Sequence, residues 1–318
     1  MHTLKRLLGT PLLIWLFLAV MWGTTWPVVG VGLKDLPPFT FAGIRFLVAS
    51  AVLMLVALTR RTRLPRSGAD WVIMLGTGLS AIGVTYAFQF WGMQHVESGL
   101  AAVLFSTVPL LTLVIAHVVL PDEPLTLTRF GGVALGTGGV ALIFSDRLNG
   151  HSPMAMWAIL GFLVGAIALA HAQVVVRAHG HRFDPVLLAA VQTAVGGTLL
   201  LTIGLSSEPP VTAASWSVRS ILAVAYLSVI GTGVGFVALY SLLRRMPVTR
   251  VNSMMLVHPL VAMALGWAVL GERLGWQVLL GAGAILAGLV PLMWPGRRAE
   301  PVVVDLLVSG EFQTEGAE

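Results

Sequence analysis

The sequence predicts an all-α polytopic membrane protein of ten transmembrane helices, arranged as two inverted repeats of five helices each. Three observations predict this fold. The 318-residue chain is 57% hydrophobic and only 10% charged, with a mean hydropathy of +0.89, whereas soluble domains carry about a quarter charged residues. Apolar stretches of about 18 to 24 residues recur along it, each long enough to cross a bilayer as a helix. A pattern in the first half also returns 150 residues later, as Pro259-Leu260 after Pro109-Leu110.

The ten predicted helices follow one another with links of only a few residues between most of them. The apolar run after Lys5 and Arg6 continues to Val31 with no clear small-residue cleavage site, which favours a retained span over a removed signal peptide. Residues 295–318 are rich in acidic side chains and predict a solvated cytoplasmic tail. The predicted spans cover residues 11–31, 40–58, 71–93, 98–120, 127–145, 154–176, 184–205, 219–243, 249–270 and 274–294.

The basic residues predict the orientation of these helices, because cytoplasmic links carry an excess of Lys and Arg. With the N-terminus inside, most of the 19 basic residues fall in inner links, including Arg60-Arg61 and Arg244-Arg245. The sequence therefore predicts a multi-pass protein of the cell (inner) membrane, with the lipid bilayer as its surroundings and both ends in the cytoplasm. A nucleic-acid partner is rejected, because the net charge of +5 is spread over short links and forms no basic face.

The internal repeat divides the chain into two predicted units, residues 11–145 and residues 154–294. Five helices in each unit is an odd number, so the second unit enters the membrane inverted relative to the first. In a membrane chain this organisation is typical of a transporter whose site lies where the two halves meet. Beyond the proline pair, the repeat matches Glu123, Gly132 and Gly139 with Glu272, Gly281 and Gly288, each 149 residues later.

Five short motifs, each weak alone and stronger as two inverted copies in register, indicate a family. They are Trp22-Gly23, the Pro38…Arg45 pattern, the mid-span Pro109 and Pro259, the acidic ends Glu123 and Gly271-Glu272, and the Gly-rich spans that follow. Over residues 11–294 the chain resembles the EamA-like transporter family of the drug/metabolite transporter superfamily. It departs from the repeat symmetry at Pro121 and Pro124, which bracket the first acidic end.

The resemblance implies a ten-helix inverted repeat with cytoplasmic ends. It also implies a central substrate cavity lined mainly by spans 1, 3, 4, 6, 8 and 9. Members of the family move amino acids, other metabolites or drugs, often outward. The family-level expectation for this chain is therefore export of an amino acid or a related metabolite.

Polar and aromatic side chains inside the predicted spans are the candidates for solute binding, because polar groups are costly in lipid. For any one of them, bridging between helices, worth under about 1 kcal/mol per link, is the favoured interpretation. As a set they predict a cavity with aromatic walls and few hydrogen-bonding groups, the usual make-up of a small-molecule site. The predicted substrate-binding residues are Trp22, Thr25, Tyr86, Gln89, His171, Tyr240, Asn252 and His258.

Three further residues within the spans need an explanation. Pro109 and Pro259 predict paired bends beside the solute path, with kinks absorbed by packing as the alternative. Arg45 is placed so that its head reaches the outer interface by snorkelling, which is the favoured interpretation, and an anion contact or gate is the alternative. Its repeat counterpart, Gln192, is neutral, which argues against a symmetric charge clamp.

Residue types and motifs that do not occur in the sequence exclude several functional classes. The chain has no cysteine, so it has no disulfide, no thiolate nucleophile and no Cys-ligated metal. It contains no phosphate-binding loop, no H-E-x-x-H motif and no G-x-S-x-G motif, and no cofactor or metal is expected. No Asp or Glu lies in the middle of a span, so proton coupling within the membrane would have to use His117, His171 or His258, since histidine is the side chain with an ordinary pKa near neutral.

The sequence therefore predicts a non-enzymatic carrier of a small organic solute that works by alternating access. A broad drug-efflux carrier is the alternative within transport, and a channel is less favoured because no filter motif is present. An intramembrane enzyme, built for instance on His258 with Ser253, is the alternative from another class. The solute, the direction, the coupling ion and the oligomeric state stay open at this point.

Overall fold

A computed structural model describes residues 10–96, 101, 104–143, 145, 154–212, 215–261, 264 and 275–293. These residues form helices, turns and links, and no strand occurs among them. Seven of the described helices are long and apolar enough to cross a membrane. The all-α, multi-pass membrane class predicted from the sequence is confirmed.

We number the helical segments α1 to α10 in chain order. The first five are α1 (Thr10–Gly32), α2 (Pro38–Thr59), α3 (Gly68–Gly92), α4 (Val108–Val119) and α5 (Leu127–Ile143). The second five are α6 (Ala155–His179), α7 (Pro185–Ser207), α8 (Val218–Leu243), α9 (Val248–Asn252) and α10 (Trp276–Met293). The acidic end Gly271-Glu272, the tail 295–318 and parts of the predicted fourth and ninth spans lie outside the described residues.

Local sequence rules set where several helices begin. α2 and α7 start at Pro38 and Pro185, because proline has a helical φ and its missing N–H is not needed in the first turn. The Asp184 carboxylate accepts two backbone N–H groups of the first turn of α7. Ser217 and Ser220 form a capping box at the start of α8.

Two long helices contain a wider, π-helical segment at corresponding places. The segment covers Leu79–Val84 in α3 and Leu227–Val234 in α8. Leu227 follows Leu79 by 148 residues, and Val234 follows Val84 by 150 residues. The segment of α8 is thus two residues longer than that of α3, eight residues against six.

Glycines allow α5 and α10 to touch through their backbones. A Cβ atom on Gly132 would lie 2.7 Å from the carbonyl oxygen of Gly288, and one on Gly139 would lie 2.6 Å from that of Gly281. In the reverse direction, Cβ atoms on Gly288 and Gly281 would meet the carbonyl oxygens of Gly132 and Gly139. A side chain at any of these positions would push the helices apart.

A buried carboxylate connects three elements at one end of the bundle. Glu123, which has no exposed surface, accepts the backbone N–H groups of Val248 at 2.7 Å and Thr249 at 3.2 Å. Arg177 at the end of α6 binds the same carboxylate at 3.3 Å and Asp122 at 2.9 Å. The link between α4 and α5 is thereby joined to the start of α9 and to α6.

A second carboxylate makes a similar connection elsewhere. Glu208, directly after α7, accepts the backbone N–H groups of Phe39 and Thr40 and the hydroxyl of Thr40, each at 2.7 Å. These are orphan donors in the first turn of α2, where a negative charge is favourable. The contact holds the end of α7 against the start of α2.

Candidate functional site

An open cavity lies among the helices, and the centre of a water molecule can occupy about 90 Å³ of it. Its lining comes from α1, α2, α3, α6 and α8, from the residue ahead of α4 and from the residues that follow α9. These are the six spans that the family resemblance implied, with α2 in addition. The lining residues are Trp22, Thr25, Val29, Arg45, Ala81, Tyr86, Gln89, Phe90, Met93, Phe105, Leu169, Gln173, Gly231, Phe236, Leu239, Met255 and His258.

Aromatic rings form much of the wall. The Trp22 ring lies edge-on to Phe236, with centroids 5.9 Å apart, and to His258, with centroids 6.2 Å apart. Tyr86 lies beside Phe90 at 6.2 Å. Edge-on and tilted aromatic pairs of this spacing are mutually attractive, so the wall has a defined geometry.

The π-helical segments position this wall. The indole N–H of Trp22 donates to the carbonyl oxygen of Gly231, inside the segment of α8, at 2.8 Å. In α3, the Thr85 hydroxyl donates to the carbonyl oxygens of Ser80 at 2.9 Å and Gly165 at 3.0 Å. Trp22 thereby joins α1 to the π-helical segment of α8, and Thr85 joins the π-helical segment of α3 to α6. Tyr86 and Gln89 follow Thr85 in the next turn of α3.

Four polar side chains of the lining carry a buried atom without a hydrogen-bond partner among the described residues. The atoms are Arg45 Nε, Gln89 Oε1, Gln173 Oε1 and His258 Nε2. A buried polar atom left unpaired costs about 1 to 3 kcal/mol, so a set of four around one cavity needs an explanation. Three further atoms of this kind, on Ser228, Thr232 and Asn252, belong to residues outside the lining.

Arg45 lies in the cavity wall rather than at the outer interface. Its side chain is 7% exposed, and its guanidinium carbon is 4.6 Å from the ring centroid of Phe46 and 5.5 Å from that of Tyr86. The snorkelling interpretation of the sequence is therefore wrong, because two aromatic rings hold the guanidinium inside the bundle. No Asp or Glu occurs among the lining residues that the structure describes.

The family is shown by a direct comparison with known proteins. The model of the EamA-like transporter family matches residues 10–145 and matches again at residues 156–294. This chain belongs to the EamA-like transporter family. The resemblance stated from short motifs is thereby confirmed.

Relatives and a solved structure agree with this family. The uncharacterized inner membrane transporter YedA of Escherichia coli (strain K12) is 31% identical over 301 residues, which cover 91% of this chain and 93% of YedA. A protein of the same strain, named as a probable amino-acid metabolite efflux pump, is 28% identical over 291 residues, 86% of this chain and 91% of that protein. A crystal structure at 19% identity superposes with a TM-score of 0.78 over 91% of this chain and 99% of its own, so the fold is shared.

Five of the predicted binding residues meet at the cavity of this EamA-like protein. They come from three different parts of the chain, because α1, α3 and the stretch after α9 converge there. Two of them, Gln89 and His258, contribute unpartnered polar atoms. The five are Trp22, Thr25, Tyr86, Gln89 and His258.

The other three predicted binding residues lie outside the lining. Tyr240 donates its hydroxyl to the side chain of Gln192, which in turn donates to Thr77 at 2.6 Å. Asn252 donates to the Thr112 hydroxyl at 2.8 Å. These two residues bridge helices, as the alternative interpretation of polar residues expected. His171 is exposed on α6 and faces away from the cavity.

Pro109 and Pro259 each begin a helical stretch instead of bending a continuous helix. Pro109 is in the first turn of α4, after a turn that ends at Thr107, and Pro259 follows the 3-10 segment Ser253–Leu256. Proline has no N–H for the carbonyl four residues earlier and clashes with it, so the preceding turn opens. The residues at those positions, Phe105 and Met255, both line the cavity.

The predicted set of binding residues left out Gln173 and Arg45, two members of the cavity wall, although Arg45 was considered as an anion contact. Once the structure shows that Leu169 lines the cavity, helical spacing places Gln173, four residues later, on the same face of α6. His171, chosen instead, lies two residues away on the opposite face. Arg45 gave no comparable clue, since its direction depends on how α2 packs against α3 and α7.

Proposed function

We propose that the chain exports a small organic solute, most simply an amino acid or a related metabolite, by alternating access across the inner membrane. The observation that carries the proposal is the aromatic cavity with four unpartnered polar atoms inside a member of the EamA-like transporter family. A small-molecule site needs this composition, with apolar walls and a few polar groups that fix the orientation of the ligand. The naming of one relative as a probable amino-acid metabolite efflux pump supports the solute class.

The proposal includes ten crossings in two inverted repeats, residues 11–145 and 154–294. The glycine contacts support this symmetry. If Gly132 corresponds to Gly281 and Gly139 to Gly288, the contact of Gly132 with Gly288 is the two-fold image of the contact of Gly281 with Gly139. The two matches of the family model and the paired π-helical segments also support it.

The proposed orientation places both chain ends in the cytoplasm and the Glu123 cluster at the cytoplasmic side. Glu208, after α7, then lies at the outer side. A carrier working by alternating access needs contacts that close one side while the other opens. The Arg177 ion pair and the Glu123 contacts with α9 supply such a contact on the cytoplasmic side.

Transport by the purified protein in liposomes tests this function. We expect saturable, stereoselective uptake of at least one amino acid from a panel that includes neutral and cationic dyes, measured with and without a pH gradient. Tyr86→Ala, in the wall, should reduce the flux, whereas the control Leu55→Ala, at a position 61% exposed on α2, should not.

Other outcomes would replace the proposal. Flux of varied lipophilic cations without amino-acid flux would identify a drug-efflux carrier, although a cavity whose described lining contains Arg45 and no carboxylate does not favour cations. Conversion of a solute by protein in detergent, with no membrane to cross, would identify an enzyme. Equal flux through the Tyr86→Ala protein would remove the cavity from the transport path.

A further inference from the structure

We propose that Arg45 binds a carboxylate of the transported solute, so that the cavity selects acids over their neutral analogues. The inference rests on the proposed transport function and names the chemical group that this cavity recognises. Arg45 carries a positive charge, is only 7% exposed, and has an Nε without a hydrogen-bond partner among the described residues. A buried, unpaired charge is costly, and in a membrane chain it marks a functional group.

No acidic side chain described by the structure neutralises Arg45. Each of these acids is engaged with another group, so a rearrangement would have to break an existing contact. The partners are Ser217 for Asp35, Arg182 for Asp70, Arg177 for Asp122, Val248 for Glu123, Val186 for Asp184 and Thr40 for Glu208.

The aromatic neighbours of Arg45 hold the guanidinium without cancelling its charge. Phe46 and Tyr86 lie edge-on to each other, with centroids 4.8 Å apart, and the guanidinium carbon approaches both rings. Ring faces attract a cation, and the Tyr86 hydroxyl adds a hydrogen bond with the guanidinium, but neither neighbour provides a negative charge. The N–H groups at the guanidinium edge therefore keep their preference for a carboxylate, which they bind through two parallel hydrogen bonds.

Gln192, the repeat counterpart of Arg45, shows how a residue with a purely structural role is bonded at the corresponding position. Gln192, also buried, has both ends of its amide engaged, with Thr77 on α3 and Tyr240 on α8. It joins three helices and does not line the cavity. Arg45 contacts Tyr86 on α3, but its Nε keeps no hydrogen-bond partner among the described residues and its charge keeps no counter-ion there.

The remaining unpartnered groups complement a carboxylate on Arg45. The amide oxygens of Gln89 on α3 and Gln173 on α6 are acceptors, which suit an N–H group of the solute. The aromatic wall formed by Trp22 and Phe236 suits an apolar body. The cavity thus offers one cationic contact, neutral acceptors and an apolar wall to a single small acid.

Calorimetric titration of the purified full-length protein in detergent tests the inference. The probes are acids and their primary amides: phenylalanine and phenylalaninamide, leucine and leucinamide, phenylacetate and phenylacetamide. We expect at least one acid to bind about tenfold or more tighter than its amide, the ratio that one charge-assisted pair supplies. Arg45→Gln should weaken that acid by a similar factor and leave its amide nearly unchanged.

Two further variants keep the result interpretable. Arg45→Lys keeps the charge but not the planar fork, so it should retain a reduced preference for the acid. Should Arg45→Gln fail to fold, this variant and the wild-type ratio decide the question. Arg219→Gln removes the same charge from an exposed position on α8 and should bind like wild type.

Several results would overturn the inference. They are equal binding of acids and amides by wild type, an unchanged ratio in a folded Arg45→Gln protein, and no binding by any acid of the panel. Binding is measured without a membrane, so it separates this inference from the transport proposal. Saturable liposome transport of a neutral solute, with indifference to acids, would keep the transport function and reject the role of Arg45.

Discussion

Two residues on α6 show how closely neighbouring side chains can differ in surroundings. Gln173 is 3% exposed and has an unpartnered amide oxygen in the cavity wall, whereas His171 is exposed. Two residues turn a helix by about 200°, so the two side chains point to opposite faces. Whether a polar side chain lines the cavity therefore depends on the face of the helix it occupies as much as on its residue type.

A pair of single-cysteine variants tests that placement, and the chain has no native cysteine to interfere. We expect a cysteine in Gln173→Cys to react with a polar thiol reagent and to be protected by the transported solute. The cysteine in His171→Cys faces away from the cavity, so the solute should not change its labelling. Labelling is measured by mass spectrometry of protein in liposomes. Protection of position 171 with indifference at position 173 would contradict the placement.

At the level of helices, glycine residues decide how closely α5 and α10 approach each other. Gly138 and Gly139 are adjacent in α5, but a Cβ on Gly138 would meet nothing within 4 Å, whereas one on Gly139 would meet the carbonyl oxygen of Gly281. The same substitution therefore has opposite consequences at the two positions. Adjacent glycines give a matched experiment on the α5–α10 contact.

We expect Gly139→Ala to destabilise the protein by about 1 to 3 kcal/mol, because the added methyl group overpacks a backbone contact. Gly138→Ala should be neutral or stabilising by up to about 1 kcal/mol, because alanine favours the helix and the space is open. Thermal unfolding in detergent, followed by size-exclusion fluorescence, measures both. Equal melting temperatures for the two variants would show that the helices are not in backbone contact at Gly139.

The carboxylate cluster at the start of α9 makes a second prediction at this scale. Glu123→Gln keeps an acceptor oxygen but loses the charge that binds Arg177 and two backbone N–H groups, so we expect a loss of about 2 kcal/mol or more. The control Asp122→Asn changes a side chain that is 62% exposed and should cost under about 1 kcal/mol. The melting temperatures of the two purified variants provide the measurement, and a larger loss in the control would refute this account.

Across the whole molecule, the predicted inversion of the two halves has a topological consequence. Leu64, in the link after α2, and Pro210, after α7, are separated by five predicted crossings and should face opposite sides. We expect Leu64→Cys to react only with reagent supplied from the cytoplasm and Pro210→Cys only with reagent supplied from outside. Labelling of intact cells and inverted vesicles with an impermeant thiol reagent measures this. Reaction of both from one side would exclude five crossings between them.

Hydropathy located most of the long helices well, because span length is fixed by the membrane rather than by neighbouring residues. The predicted span 40–58 falls within α2 (Pro38–Thr59), and the predicted span 184–205 matches α7 (Pro185–Ser207) to within two residues at each end. The predicted fourth and ninth spans were too regular, since the chain opens just before Pro109 and Pro259. The π-helical segments in α3 and α8 escaped prediction, because a wider turn leaves the apolar pattern almost unchanged.

The sequence alone determined the membrane class, the family and the internal repeat, since these depend on composition, spacing and motifs along the chain. It also supplied five of the residues that line the cavity. Only the tertiary structure decided that Arg45 turns inward between Phe46 and Tyr86, that Gln173 replaces His171 in the wall, and that Tyr240 and Asn252 bridge helices. The physical reason is that an apolar helix has no polar face to mark its inner side in lipid, so side-chain direction is set by packing against other helices.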